Sequence, residues 1–200
     1  MEKFISYEDN RRFVAATFDS NPIHYHIDEG GVEEPIVSGF LLENIVTSYA
    51  GLEPPFRICT RFRKPLPVNS SIGLFREDGL VTGKYLDEVV MASSVKEPVF
   101  GSGKELIASL PAGLDGYEPT ALYPVCFSSF ALLNLGIEAP EGKSYIYSSH
   151  DISVYSDFEG GTLSLYLDKL RTSSRGAIAS IAIKENEEDI AYVKMNLVIG

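Results

Sequence analysis

The sequence predicts an α+β protein built twice over: a helix packed on one face of a curved antiparallel sheet, then a second such unit in the same chain. Three observations predict it. The 200 residues are 44% apolar and 22% charged, the balance of a chain that forms one large core or two small ones. Apolar helical periodicity occurs at two well-separated places, each followed by a run of strand-like segments. A shift of 90 positions superposes Phe62 on Ile152, Val68 on Phe158 and Ser70-Ser71 on Gly160-Gly161, the last pair just before a strand in each half.

The elements follow in order. Glu8 and Asp9 ahead of Phe13, Val14 and Phe18 suit a helix over 7–18, ending before Asn21-Pro22. After Pro35, the residues Phe40, Leu41, Asn44, Ile45 and Ser48 recur at helical intervals over 37–50, and Gly51 closes that helix. Strands are expected over 56–63, 71–75, 80–86 and 88–96, with turns at Pro65/Pro67 and Glu77-Asp78-Gly79. Residues 1–100 thus form a first unit. Residues 101–119 are Gly- and Pro-rich and read as a linker, in which 106–110 can add a short piece of order. Residues 120–200 form the second unit, with a helix over 120–135 stopped by Gly136 and strands over 145–155, 162–171, 177–184 and 190–199.

Composition excludes several classes. No apolar run approaches the roughly 20 residues of a bilayer span, so no membrane role is expected. The start Met1-Glu2-Lys3-Phe4 carries no export signal, which makes the cytoplasm the expected address. Cys59 and Cys126, 67 positions apart, fit no metal-site spacing; both are expected as buried thiols, and no metal is expected. With 17 basic against 28 acidic residues the net charge is −11, which disfavours nucleic acid as a partner.

The segment that carries chemistry is Asp19-Ser20-Asn21-Pro22-Ile23-His24. The residue before a proline is pushed out of the helical region, so Asn-Pro forces a turn that can aim the acid and the imidazole at one point. Further on, Pro35-Ile36-Val37-Ser38-Gly39-Phe40 opens the second helix with a glycine in its first turn, where free N–H groups can hold a developing oxyanion. In an extended strand Arg57, Arg61 and Arg63 share a face, suited to an anionic ligand or equally to a solvated edge.

These residues resemble the MaoC-like, or (R)-specific enoyl-CoA hydratase, branch of the hot-dog-fold superfamily. The family pattern, roughly G-D-x-N-P-(I/L)-H-x-D and then P-I-x-H-G-(M/F), is matched at Asp19, Asn21, Pro22, Ile23 and His24, and at Pro35, Ile36, Gly39 and Phe40. It departs at Phe18, His26 and Ser38. The resemblance implies a hot-dog fold, here a double hot dog, acting on acyl-CoA or acyl-carrier-protein thioesters. It implies that Asp19 and His24 activate water for addition across a 2-enoyl double bond, or remove it in reverse, while backbone donors at Gly39 hold the thioester oxygen. Asn21, Ser38, Phe40 and Thr47 are the implied substrate-side residues, with Arg57, Arg61 and Arg63 as the expected partners of the CoA phosphates. No cofactor is implied, because CoA or phosphopantetheine enters as part of the substrate.

One site per chain is expected. The second helix opens on Tyr117-Glu118-Pro119-Thr120-Ala121-Leu122, which lacks both motif segments, and His150 follows its helix. Ser149-His150-Asp151 reads as the start of a strand and not a triad, because neighbouring strand residues face opposite ways. Gly101-Ser102-Gly103-Lys104 lacks the residues of a phosphate loop. Two other functions compete with the hydratase: a hot-dog thioesterase, for which Glu43 is the obvious acid on the central helix, and a non-catalytic acyl-thioester-binding or scaffold protein. The units are short for a fused pair, which leaves two readings: some strands are trimmed, or the halves form a larger homo-oligomer.

Overall fold

The computed structural model describes residues 1–25, 33–110, 121–135 and 143–199, with Leu133 described by its backbone alone. Ten strands form one antiparallel sheet: β1 (Glu2–Ile5), β2 (Phe56–Phe62), β3 (Ser70–Glu77), β4 (Leu80–Tyr85), β5 (Glu88–Lys96), β6 (Glu105–Leu110), β7 (Tyr145–Val154), β8 (Leu163–Ser173), β9 (Gly176–Glu185) and β10 (Glu188–Ile199). Their spatial order is β1-β3-β4-β5-β2-β7-β10-β9-β8-β6. This order reads the same from either edge if each first-half strand is exchanged for its second-half counterpart. The repeat in the sequence is therefore a repeat in space, with β2 and β7 paired at the centre through Ile58↔Ile152 and Thr60↔His150.

Two α-helices lie between β1 and β2. In α1 (Tyr7–Ala16), Ser6 accepts from the Asp9 N–H while the Asp9 carboxylate accepts from the Ser6 N–H, a reciprocal cap typically worth about 1 kcal/mol. In α2 (Gly39–Ala50), Phe40, Leu41, Leu42 and Val46 are buried in the core, and Gly51 ends the helix with φ of 60°. That left-handed geometry costs glycine nothing and lets its N–H reach the last carbonyls.

The second-half helix differs from the sequence expectation. In place of one helix over 120–135 there are two short ones, α3 (Tyr123–Cys126) and α4 (Ser128–Asn134). Pro124 is tolerated only in a first helical turn, which sets the start of α3, and the Cys126 thiol donates back to the Leu122 carbonyl. Two strands also go beyond expectation. β1 was not anticipated, and β6 lies inside the expected linker; both are edge strands, pairing on one side only with β3 and β8. Half-exposed edges show little of the alternation that marks a strand. The expected stops at Gly136 and residues 111–119 of the linker lie outside the described residues.

Candidate active site

The motif loop is held by its own short-range hydrogen bonds. Phe18, where the family pattern has glycine, takes a left-handed φ of 54°. Its ring packs 5.5 Å from that of Phe130 and 6.2 Å from that of Phe127, so contact with the second-half helices offsets the strain. Asp19 N–H then donates to the Val14 carbonyl at 2.9 Å, folding the chain back on α1. Asn21 caps the single 3-10 turn Pro22–His24 through its side-chain oxygen, and its Nδ2 donates to the Tyr145 carbonyl of β7 at 2.8 Å. The Asn-Pro step thus does what its chemistry predicts and also ties the loop to the other half.

Asp19 and His24 meet. His24 Nε2 lies 3.5 Å from Asp19 Oδ2, and both side chains are at least 96% buried. The other imidazole nitrogen, Nδ1, is 2.9 Å from the Ile36 carbonyl, which can only accept; Nδ1 therefore carries a proton. That fixes Nε2 as the nitrogen free to take or give a proton, and Nε2 has no hydrogen-bond partner among the described residues. Burial raises the Asp19 pKa, but the adjacent His24, the Asn21 N–H and the Ser129 hydroxyl outweigh it and hold the carboxyl below its ordinary range. Burial likewise lowers the His24 pKa, and Asp19 with the Ile36 carbonyl outweighs that, leaving it above the ordinary imidazole value.

These directions give a stability prediction. The raised His24 pKa contributes stability that is complete below its unfolded value near 6.5 and lost as pH rises through the folded value; the lowered Asp19 pKa contributes above about 3.9 and is lost as pH falls through its folded value. The pair stabilises fully between those limits. Thermal melts of the wild type and Asp19→Asn should therefore differ most in that window and converge as pH rises; a gap independent of pH would contradict the coupling.

His24 and Ile23 line a cavity of about 230 Å³, walled also by Gly39, Leu42, Phe62, Tyr147 and Arg63. Gly39 brings the start of α2 to this wall because a side chain there would press within 3.2 Å of the Phe62 ring and 3.4 Å of the His150 ring. The first N–H groups of α2 receive no cap from Ser38, whose buried hydroxyl has no partner among the described residues and whose own N–H donates to Asn10. Asp19 does not line this cavity. It lines a separate, more open cleft with Phe18, Tyr25 and Phe130.

The remaining expected residues divide. Phe40 is buried and stacks on His150 rather than facing the cavity, and Thr47 is buried with a hydroxyl that has no partner among the described residues. The basic cluster does not act as one face. Arg57 makes two 2.7 Å hydrogen bonds to the Asp151 carboxylate across β2 and β7, whereas Arg61 is exposed on the same side of the sheet. Arg63 falls after β2 has ended, where alternation no longer applies, and only it reaches the cavity that His24 lines. His26 lies outside the described residues.

One pair was missed. His150 sits in the middle of β7, not at its start, and its Nδ1 is 2.5 Å from Glu43 Oε2 of α2, with both side chains wholly buried. Phe40, Phe62 and Tyr147 enclose the imidazole. Its neighbours Ser149 and Asp151 are bonded elsewhere, to Asn196 and Arg57, so the three adjacent residues form no triad. An acid in the middle of an apolar helix was the available signal for Glu43; the partner, 107 residues away, gave none.

No family model matches the sequence, and no curated protein matches it. Solved structures do match. The dehydratase domain of PpsC from Mycobacterium tuberculosis, solved in complex with C12:1-CoA, is 12% identical, with 100% of this chain and 92% of that one covered at a TM-score of 0.62. A 12:0-ACP thioesterase from Umbellularia californica is 6% identical over 100% and 93%, with a TM-score of 0.62. A MaoC-like dehydratase is 9% identical over 98% and 95%, with a TM-score of 0.51. All three are hot-dog proteins, and identities this low speak to fold alone. With helices against one antiparallel sheet of ten strands, this chain has the hot-dog fold.

Proposed function

We propose that the chain is a hydro-lyase that hydrates 2-enoyl thioesters, or dehydrates 3-hydroxyacyl thioesters in reverse. The carrying observation is the buried Asp19–His24 pair, whose one free nitrogen, Nε2, belongs to a residue on the wall of the cavity. Hydration needs a base for the water proton and an acid for C2. Asp19, with its lowered pKa, is the carboxylate that takes the proton; His24, with its raised pKa, delivers one from Nε2. Oxygen bonds to C3 as the C2–C3 π electrons move toward the thioester carbonyl, and the first N–H groups of α2 at Gly39 stabilise that oxygen, each such donor being worth about 3 kcal/mol. Like the PpsC domain solved with C12:1-CoA, the chain would take an acyl-CoA or acyl-carrier thioester. The enzyme should bleach the enoyl-thioester absorbance of crotonyl-CoA without releasing free thiol; binding with no spectral change would refute the assignment.

Arg63 is the one residue of the expected phosphate-binding trio that fits this site. Reversing its charge should raise KM for the CoA thioester at low salt and leave kcat unchanged, with the salt dependence of KM reduced. Reversing Arg61 should change neither. Equal KM for the Arg63 variant and the wild type would remove CoA phosphate from its role.

A second reading, thioester hydrolysis, is favoured by one observation: a carboxylate on the central helix, Glu43, paired with His150. Against it, neither Glu43 nor His150 lines the cavity, whereas the Asp19–His24 pair reaches its wall through His24. Release of free thiol that is lost in Glu43→Gln but kept in His24→Ala would establish hydrolysis over hydration.

A further inference from the structure

The described lining of the cavity that His24 reaches divides by burial. Arg63, Lys64 and Pro65 are exposed and Val198 of β10 is 44% exposed, which marks the mouth. Ile23, Ile36, Val37, Leu42 and Leu66 are no more than 6% exposed, which marks the floor. Every floor side chain is apolar, so this end suits hydrocarbon and rejects a group that needs hydrogen bonds. The floor is also fixed in place: the Ile36 N–H donates to the Ile23 carbonyl at 2.9 Å, and the Val37 N–H to the Leu66 carbonyl at 2.8 Å. Leu42 stands on α2 three residues after Gly39, and residues three apart share a helix face, here with a rise of about 4.5 Å between them. With the thioester oxygen at Gly39, an acyl chain that follows α2 inward meets Leu42 within one turn.

Volume sets how long that chain can be. A dry apolar cavity of about 150 Å³ takes up benzene, roughly 25 Å³ for each heavy atom. At that density the cavity of about 230 Å³ holds about nine heavy atoms, and once the thioester sulfur and oxygen are seated, about seven acyl carbons remain. We propose that Leu42 and Leu66 are specificity-determining residues that close the acyl end of the cavity and restrict the site to short-chain 2-enoyl thioesters, with about seven acyl carbons as the upper limit. This rests on the reading of the cavity as the hydration site. The two leucines are the floor residues that can be shortened without disturbing the chemistry: Ile23 adjoins His24 and the Ile36 carbonyl holds its Nδ1, whereas Leu42 and Leu66 act only by excluding the end of a longer chain.

Saturated acyl-CoAs, which bind without reacting, separate this limit from the chemistry. Calorimetric titration of the full chain with butanoyl-, hexanoyl-, octanoyl- and decanoyl-CoA gives the affinity gained per methylene. Each methylene that enters the floor should tighten binding about fourfold, so the gain should run from butanoyl- to hexanoyl-CoA and be gone by decanoyl-CoA. Leu42→Ala removes three carbons from the floor and should carry the gain through two or three more acyl carbons; Leu66→Ala should do the same, and Leu42→Val should extend it by one. For 2-enoyl-CoAs, kcat/KM of the wild type should be at least ~10-fold lower with ten acyl carbons than with six, and the variants should narrow that ratio. Affinity that keeps rising fourfold per methylene to decanoyl-CoA in the wild type, or a folded Leu42 or Leu66 variant that breaks at the same length as the wild type, would overturn the limit. The wild-type series decides even where a truncated variant does not fold. Should no acyl-CoA of the series bind, the limit and the hydration reading fall together; should the break appear while no enoyl-CoA is hydrated, the limit stands and only the hydration reading falls.

Discussion

Replacing Asp19 by Asn, or His24 by Ala, should lower the rate of crotonyl-CoA hydration at least ~100-fold while the protein stays folded, the scale expected when a general acid or base is removed. The loss should fall on kcat, because neither residue is asked to hold the substrate in its ground state. The two effects should also fail to add: once either member is gone the other has no partner for proton transfer, so the double variant should be little slower than the slower single. His24→Ala leaves the Asp19 carboxylate buried without its nearest compensating group, and its melting temperature should drop further than that of Asp19→Asn. Stopped assays at saturating substrate, with circular dichroism to verify folding, provide the check. Turnover within a few fold of wild type in either folded variant would end the assignment of these residues.

The second large effect concerns stability. Glu43 and His150 are wholly enclosed, with Glu43 Oε1 and His150 Nε2 left without partners among the described residues. Truncating one member strands the other in an apolar box, at a cost of about 3–5 kcal/mol for breaking a buried pair. For a chain of this size that is a fall of roughly 10 °C in melting temperature. Glu43→Ala should show it, and a double variant with Glu43→Leu and His150→Leu should recover most of the loss, since apolar replacement of both partners removes the desolvation penalty. A single variant that melts with the wild type would mean that water or rearrangement already compensates the lone partner. The pair also joins the halves, linking α2 of the first to β7 of the second. Its loss should lower cooperativity as well as the midpoint.

Local chemistry was legible and long-range chemistry was not. The Asp19-to-His24 segment could be read because its shape is made by Asn21 capping its own turn and Pro22 starting it, interactions two residues apart. The four strands after each helix could be read for a similar reason: alternation is a local property, and burial then selects one face. Phe18 shows the limit. Its left-handed backbone preserves the geometry of the absent glycine, but the compensation comes from Phe127 and Phe130, more than a hundred residues away in the sequence. The same distance hid His150, which has no local pattern to mark it. Arg57 was grouped with Arg61 and Arg63 by spacing alone, and its carboxylate partner on a neighbouring strand removed it from the group.

The most direct test of the account is a structure of the Asp19→Asn protein with a bound 2-enoyl thioester, since this variant should hold substrate without consuming it. The thioester oxygen should lie at the Gly39 end of α2, C2 beside His24 Nε2, and the CoA phosphates on the side of Arg63. A thioester carbonyl seated instead against Glu43 and His150, with the enoyl carbons remote from His24, would contradict it.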